Sequence, residues 1–160
     1  DILKAIKLIS KDELEIELLL VGDGILNESL RNYYKNNCNF NVHFLGFKNQ
    51  SELPEIYYLS DALILPSQSE TWGLVVNEAF ALRTPAIVSN HVGCAADLID
   101  SGTTGEVFEC GNINHLAEKI KFISKYSKSE ISTNKILKKN EIYSLHFATE
   151  NLVKALNFLK

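Results

Sequence analysis

Apolar residues enter this chain in two alternating rhythms. Ile2, Leu3, Ile6 and Ile9 recur at helical spacing on one stripe, whereas "EIELLLVG" (15–22) is a continuous greasy run that ends on Gly22-Asp23-Gly24, as a buried strand does. The alternation continues. A helix is expected over about 26–37, a strand at "NVHFLGF" (41–47), and a short helix capped by Ser51 and running to Leu59, with Pro54 tolerated in its first turn. "ALILPS" (62–67) reads as a third strand stopped by proline, followed by a helix starting near Gly73. "PAIVS" (85–89), a helix near 95–101, "TGEVFE" (104–109) and a helix over about 113–125 complete the series.

Short apolar strands separated by helices require crossover connections, and these give a parallel sheet covered on both faces. The expected class is therefore α/β, a doubly wound Rossmann-like domain. Residues 1–160 form one domain in this reading, with a core over about 1–125 and two further helices over about 130–160. The second of these is amphipathic through Leu152, Ala155, Leu156 and Leu159 and is expected to pack across the domain or onto a partner domain. The chain opens inside an amphipathic helix and contains no methionine, so it is expected to be a piece of a longer protein.

Composition narrows the functional classes. With 46% hydrophobic and 22% charged residues the chain can build a two-sided core. A formal net charge of -4 argues against a nucleic-acid partner, because phosphate neutralisation needs a basic excess. Cys38, Cys94 and Cys110 form neither a C-x-x-C pair nor a zinc pattern with the four histidines, His43, His91, His115 and His146, and they are expected to be reduced thiols in a cytoplasmic protein. No apolar run reaches the roughly 20 residues of a membrane span. Seven lysines between Asn112 and Lys139 against Glu118 and Glu130 suit a solvated helical face; the alternative is a surface drawn to anionic lipid headgroups.

In a doubly wound fold, ligands bind beyond the carboxyl ends of the strands. That places the candidates in Gly22–Gly24, Phe47–Asn49, Ser67–Gly73, Ser89–Cys94 and Glu109–Asn112. The turn "GDGILN" has Asn27 where a dinucleotide fingerprint requires its third glycine, and no acid closes the next strand, which argues against a nicotinamide dehydrogenase. The helix after the third strand is different. Leu74, Glu78 and Leu82 share a stripe, Val75, Val76, Ala79 and Phe80 cover most of the remainder, and Glu78 is left with little water to face. A lone helical glutamate ordinarily meets solvent or a lysine; one in apolar surroundings needs donors, and ligand hydroxyls supply them. Just before it, Ser69 to Gly73 would offer unpaired helix-N-terminal N–H groups, which suit phosphate. Trp72 fits either a core anchor or a site residue. Phosphate at the helix start and hydroxyls at the glutamates together describe a sugar nucleotide.

Glu70 and Glu78, seven residues apart within "LPSQSETWGLVVNEAFALRTPAIVS", resemble the E-x7-E signature of retaining GT-B-fold glycosyltransferases, in particular glycosyltransferase family 4. "LLLVGDG", "VHFLGF", "SELPEIYYLSDALILPS" and "HVGCAADLIDSGTTGEVFECGN" follow in the order of that family's C-terminal, donor-binding domain. The resemblance implies transfer of a sugar from a nucleotide-diphosphate donor, a UDP- or GDP-sugar, to a glycan or lipid-linked acceptor, with retention and without a required metal or other cofactor. It gives Glu70 the donor-sugar hydroxyls beside the reacting carbon and Glu78 the ribose. Thr71, Trp72, Gly73, Leu74 and Val75 would bind sugar and diphosphate through backbone N–H groups, and Gly22, Asp23, Phe47, Lys48 and Leu53 would lie around the base. Two departures accompany it. The family's opening strand, glycine-rich turn and diphosphate-gripping basic residues do not precede Asp1, nor does an N-terminal acceptor domain, so the 160 residues are expected to bind donor without turnover. In the family's strand order 3-2-1-4-5-6, strands 15–22 and 62–67 would then be neighbours across a vacated place or be drawn together. Arg83 stands where the family usually has glycine, and the helix-ending turn is expected to close differently. The whole enzyme is expected in the cytoplasm, with peripheral association at the membrane face.

Two other classes compete. A sugar-nucleotide epimerase or a phosphorylase-like enzyme shares the two-domain architecture, but the sequence marks neither an acid/base set nor a cofactor lysine. A non-enzymatic, receiver-like domain would cluster acids at a strand end, where only Asp23 is suitably placed.

Overall fold

A computed structural model describes residues 1–10, 14–125 and 130–158, with only the backbone for 130–132. Elements run in the order α1 (Ile2–Ile9), β1 (Glu17–Val21), α2 (Asn27–Asn37), β2 (Asn41–Gly46), α3 (Leu53–Leu59), β3 (Leu63–Leu65), α4 (Leu74–Ala81), β4 (Ala86–Ser89), α5 (Ala95–Leu98), β5 (Gly105–Phe108), α6 (Ile113–Lys125), α7 (Glu130–Ile142) and α8 (Leu145–Phe158). The α/β class and the helix–strand alternation are as expected, and every ladder is parallel.

The strands form two ladders, β1-β2 and β3-β4-β5. β1 and β3 share no backbone ladder, so they have not been drawn together. Their side chains nevertheless meet a common core. Leu18, Ile87, Phe108, Leu116 and Ile6 belong to one buried cluster, and Leu20 of β1 and Ile64 of β3 both pack against it. α1 closes this cluster by burying Leu3, Ala5, Ile6 and Ile9 against α6; three of the four residues its periodicity marked are in this set, Ala5 is added, and Ile2 is only partly buried. A second cluster, built on Val76, Phe80, Val88, Leu98 and Ile136, ties α4 and α7 to the three-stranded ladder.

Four local features differ from the sequence reading. Ser51 does not cap α3: the Asn49 side-chain oxygen accepts the Ser51 and Glu52 N–H groups, at 3.0 and 3.2 Å, and the Ser51 hydroxyl also donates to it. α5 lasts only from Ala95 to Leu98, because the Thr104 hydroxyl accepts the Asp100 N–H at 2.7 Å and turns the chain away from the helix. α8 buries no side chain of its own and its main contacts are with α7, so the expected packing across the domain is slight; Leu159 lies outside the described residues. The fourth is Arg83. It adopts the left-handed conformation, φ 65°, in place of a glycine. Thr84 N–H reaches Ala79 O at 2.9 Å and Arg83 N–H reaches Phe80 O at 3.0 Å, the pair of bonds that ends a helix in a Schellman turn. The turn thus keeps its usual closure in spite of the arginine.

Candidate functional site

The loop between β3 and α4 carries most of the expected site, and the loop after β4 holds it in place. Beyond the strand ends the two loops continue as a single parallel bridge, Glu70 to Val92. Glu70 N–H donates to His91 O at 3.3 Å, Gly93 N–H to Glu70 O at 2.9 Å, and Cys94 N–H to Trp72 O at 2.8 Å. Side chains reinforce the seam, with the Ser89 hydroxyl donating to Ser67 O and His91 Nδ1 lying 2.9 Å from Gln68 O. Gly93 makes this approach possible. A Cβ there would overlap the Thr71 carbonyl oxygen and lie 2.8 Å from its carbon.

Gly73 then turns with φ 102° and starts α4, its far side filled by Val92, Leu65 and Cys94. The N–H groups of Gly73, Leu74 and Val75 have no hydrogen-bond acceptor among the described residues, whereas Val76 N–H already returns to Gly73 O at 2.9 Å. These are the orphan donors of a helix start, carrying its positive dipole end. The Trp72 N–H lies 3.4 Å from Glu70 Oε1, directed at the neighbouring carboxylate. The indole is an anchor. It packs against the second core cluster, donates Nε1–H to Asn77 Oδ1 at 2.9 Å, and lies 5.7 Å from the Tyr143 ring. Tyr143 in turn donates to Asp97 Oδ1 at 2.9 Å, and Lys139 donates to Asp97 O at 2.7 Å, so α7 braces the loop from behind.

Glu78 lies on α4, one face of which is fully buried through Val76, Ala79 and Phe80. The stripe is wetter than expected, since Leu74 is 69% exposed and Glu78 is half-buried. The protein partner of Glu78 comes from α3 and not from a lysine: the Tyr57 hydroxyl donates to Glu78 Oε2 at 2.9 Å. Burial, and then the adjacent carboxylate, push the Tyr57 phenol well above its ordinary pKa, so it remains a donor.

The other expected residues gather at the ends of β1 and β2. Gly22, φ 113°, donates to Gly46 O at 2.8 Å, which brings Gly22-Asp23 beside Phe47-Lys48. Phe47 is 79% exposed. Asp23 spends its carboxylate locally, accepting from Asn27 Nδ2 and Gly24 N–H, both at 2.8 Å, and these bonds hold its pKa below the usual range. Lys48 is paired with Glu52 at 2.9 Å, and Leu53 begins α3. α3 thus runs from this second group toward Glu78. Cys38, Cys94 and Cys110 are free thiols, and burial pushes Cys94 up to about 11, which keeps it protonated and inert at neutral pH.

Tyr57 and Gly93 were missed as individuals. The loop holding Gly93 could be marked from its place after a strand, but its contact with Thr71 could not.

A parallel α/β domain with a clamped loop, an open helix start and exposed strand-end residues matches the GT-B glycosyltransferases. The catalytic domain of cholesterol-α-glucosyltransferase from Helicobacter pylori superposes with a TM-score of 0.76 at 21% identity, over 89% of this chain and 88% of that one. HepE of Anabaena, solved in complex with UDP-glucose, superposes with a TM-score of 0.72 at 20% identity, over 87% of this chain and 40% of that one. In sequence, residues 1–141 match the family described as Glycosyl transferases group 1, and the chain belongs to that family. N-acetyl-alpha-D-glucosaminyl L-malate synthase of Bacillus anthracis is 35% identical over 108 residues, which are 67% of this chain and 28% of that protein. An uncharacterized glycosyltransferase of Methanocaldococcus jannaschii is 30% identical over 68% of this chain and 30% of its own length. The chain therefore spans less than a third of these relatives. Among its described residues no helix is long and apolar enough to cross a membrane.

Proposed function

We propose that this chain is the C-terminal, donor-binding domain of a retaining, family 4 hexosyltransferase and that it binds a nucleotide-diphosphate sugar. The observation that carries the reading is the juxtaposition on one loop and helix. Three N–H groups without acceptors among the described residues, from Gly73, Leu74 and Val75, open beside Glu70, whose backbone is clamped on both sides, with Glu78 further along the same helix. The donors suit a diphosphate and the glutamates suit hydroxyls. UDP-glucose in the Anabaena neighbour and UDP in the pneumococcal O-GlcNAc transferase favour a UDP-sugar here.

Cleavage of the sugar–phosphate bond builds positive charge at the anomeric carbon and negative charge on the departing diphosphate. Fixed N–H dipoles facing the diphosphate lower that barrier without reorganising during the step, and no metal is called for in this reading. Glu70 holds donor-sugar hydroxyls next to the reacting carbon, and Glu78 holds the ribose. Thr71 adds its N–H on the sugar side, while Trp72 serves as the anchor of the loop. Gly22, Asp23, Phe47, Lys48 and Leu53 surround the base. The acceptor, a glycan or lipid-linked sugar, would be held by an N-terminal domain, and turnover would need both halves, in the cytoplasm or at its membrane face. Saturation-transfer NMR with UDP-, GDP- and ADP-sugars tests the reading: ribose and diphosphate-proximal sugar protons of one donor should receive saturation, and loss of that signal in Glu78→Ala should follow. Absence of binding by all three sugar nucleotides would overturn it.

A further inference from the structure

We propose that Tyr57 is a positioning residue that orients the Glu78 carboxylate for the donor ribose, and so sets the preference of the site for a ribonucleotide. The proposal rests on the reading of Glu78 given above. Tyr57 is fixed at both ends. Its carbonyl accepts the Thr84 hydroxyl at 2.6 Å, the residue as a whole is 9% exposed, and its hydroxyl donates across to Glu78 Oε2 of α4 at 2.9 Å. A glutamate side chain has several rotamers to lose on meeting a ligand, and a donor already holding one oxygen removes most of that freedom beforehand. Glu78 Oε1 accepts no hydrogen bond from any described residue. Adjacent ribose hydroxyls can therefore donate to Oε1 and to the second lone pair of Oε2, which the phenol leaves open. The raised pKa of the phenol keeps this donor in place throughout the neutral and mildly alkaline range.

A purely structural tyrosine would satisfy its hydroxyl at the same oxygen but would be indifferent to the sugar of the ligand. Calorimetric titration of the full chain separates the two roles. Whichever of UDP, GDP and ADP binds best is compared with its 2′,3′-dideoxy counterpart, on wild type, Tyr57→Phe, Glu78→Ala, the double variant and Thr84→Val. Tyr57→Phe should weaken the ribonucleotide by about threefold to tenfold, the scale of one ordinary net hydrogen bond, and leave the dideoxy ligand unchanged. In the Glu78→Ala background the same substitution should have no further effect. Thr84→Val, which loosens the backbone of Tyr57 but keeps its hydroxyl, should lower the thermal midpoint and preserve the ribose preference. Equal weakening of both ligands by Tyr57→Phe, no weakening of either, or the same loss of preference in Thr84→Val would overturn the positioning role while Glu78→Ala still erased the preference. If Glu78→Ala itself kept the full ribose preference, or no diphosphate bound wild type, the underlying site reading would fall together with the proposal.

Discussion

Substituting Gly93 by alanine should damage stability and donor binding together, because one contact serves both. The added Cβ would lie 2.8 Å from the Thr71 carbonyl carbon and 3.3 Å from Trp72 Cα, and it would overlap the Thr71 oxygen. All of these are backbone atoms, with no side-chain end that can swing aside. To restore van der Waals separation the two loops must part by on the order of 1 Å, a distance over which packed interiors do not relax freely. That movement breaks or strains the bonds from Gly93 N–H to Glu70 O and from Cys94 N–H to Trp72 O. At roughly 1–2 kcal/mol for each backbone bond lost in a largely desolvated seam, the cost is about 2–4 kcal/mol. For a domain of this size that lowers the melting temperature by about 5–15 °C. Displacing Glu70 and the α4 start by the same ångström should weaken nucleotide-sugar binding or turnover by up to about 100-fold. Urea unfolding at 25 °C and a donor titration read the two effects, with Gly24→Ala as control, since a Cβ at Gly24 meets nothing within 4 Å. A Gly93→Ala protein as stable as the control would refute the clamp.

Arg83→Gly should stabilise the chain by about 0.5–1 kcal/mol in the same unfolding assay. It relieves the left-handed strain at φ 65°, partly offset by the greater freedom of glycine in the unfolded state, and a loss of stability would contradict the strain argument. On the proposed donor-site reading, Glu78→Ala in a full-length protein carrying this chain should chiefly raise KM for the donor and Glu70→Ala should chiefly lower kcat; initial-rate kinetics showing the reverse would overturn the roles proposed for them. Glu106 is buried at 1% exposure in β5. Burial alone would raise its pKa, but Lys119 at 2.8 Å, the Ser101 hydroxyl and Gly102 N–H outweigh that and hold it below the usual range. A depressed folded-state value means that its stabilising contribution is complete above the unfolded-state pKa and disappears as pH falls through the folded one. Acid unfolding should thus steepen below about pH 4.5, and Lys119→Met should move that loss to higher pH and cost about 3 kcal/mol at neutrality.

The alternation of strands and helices was legible because buried parallel strands leave uninterrupted apolar runs and amphipathic helices leave a stripe. In α1 the stripe gave Leu3, Ile6 and Ile9 correctly and missed only the small Ala5, which periodicity of large apolar residues does not mark. Glu70 and Glu78 could be singled out as a pair because their relation is local, seven intervening residues on a single turn and helix. What could not be read depends on how elements pack. Tyr57 reaches Glu78 across 21 positions, through a helix pair whose relative rotation is not encoded in either helix alone. Gly93 looks like any loop glycine until the Thr71 carbonyl comes to rest against it. Asn49 displaced Ser51 at α3 because its side chain takes the Ser51 and Glu52 N–H groups and its carbonyl takes that of Leu53, while Pro54 has no N–H to offer a Ser51 cap, and periodicity does not show this. The Schellman turn at Arg83 shows the converse: the helix and the following strand fix the geometry, and the residue adopts it at some cost.

The division of the strands into a pair and a trio bears on how the molecule comes apart. Backbone bonds bind β1 only to β2, and β3 only to the trio, while side chains such as Leu20 and Ile64 supply the connection between the ladders. A ladder opens cooperatively, but a side-chain layer without ladder bonds across it can open on one side while the other stays folded. Amide exchange should therefore resolve two protection classes. Residues of β4, hydrogen-bonded on both edges, should exchange only by global unfolding, and those of β1 and β2 should exchange through an earlier, sub-global opening. The loops that clamp Glu70 belong to the slow class, and the exposed Phe47 end of β2 to the fast one. A ligand spanning both would slow exchange most in the half that opens first, so the change in protection on binding would report which half contributes the more plastic part of the site.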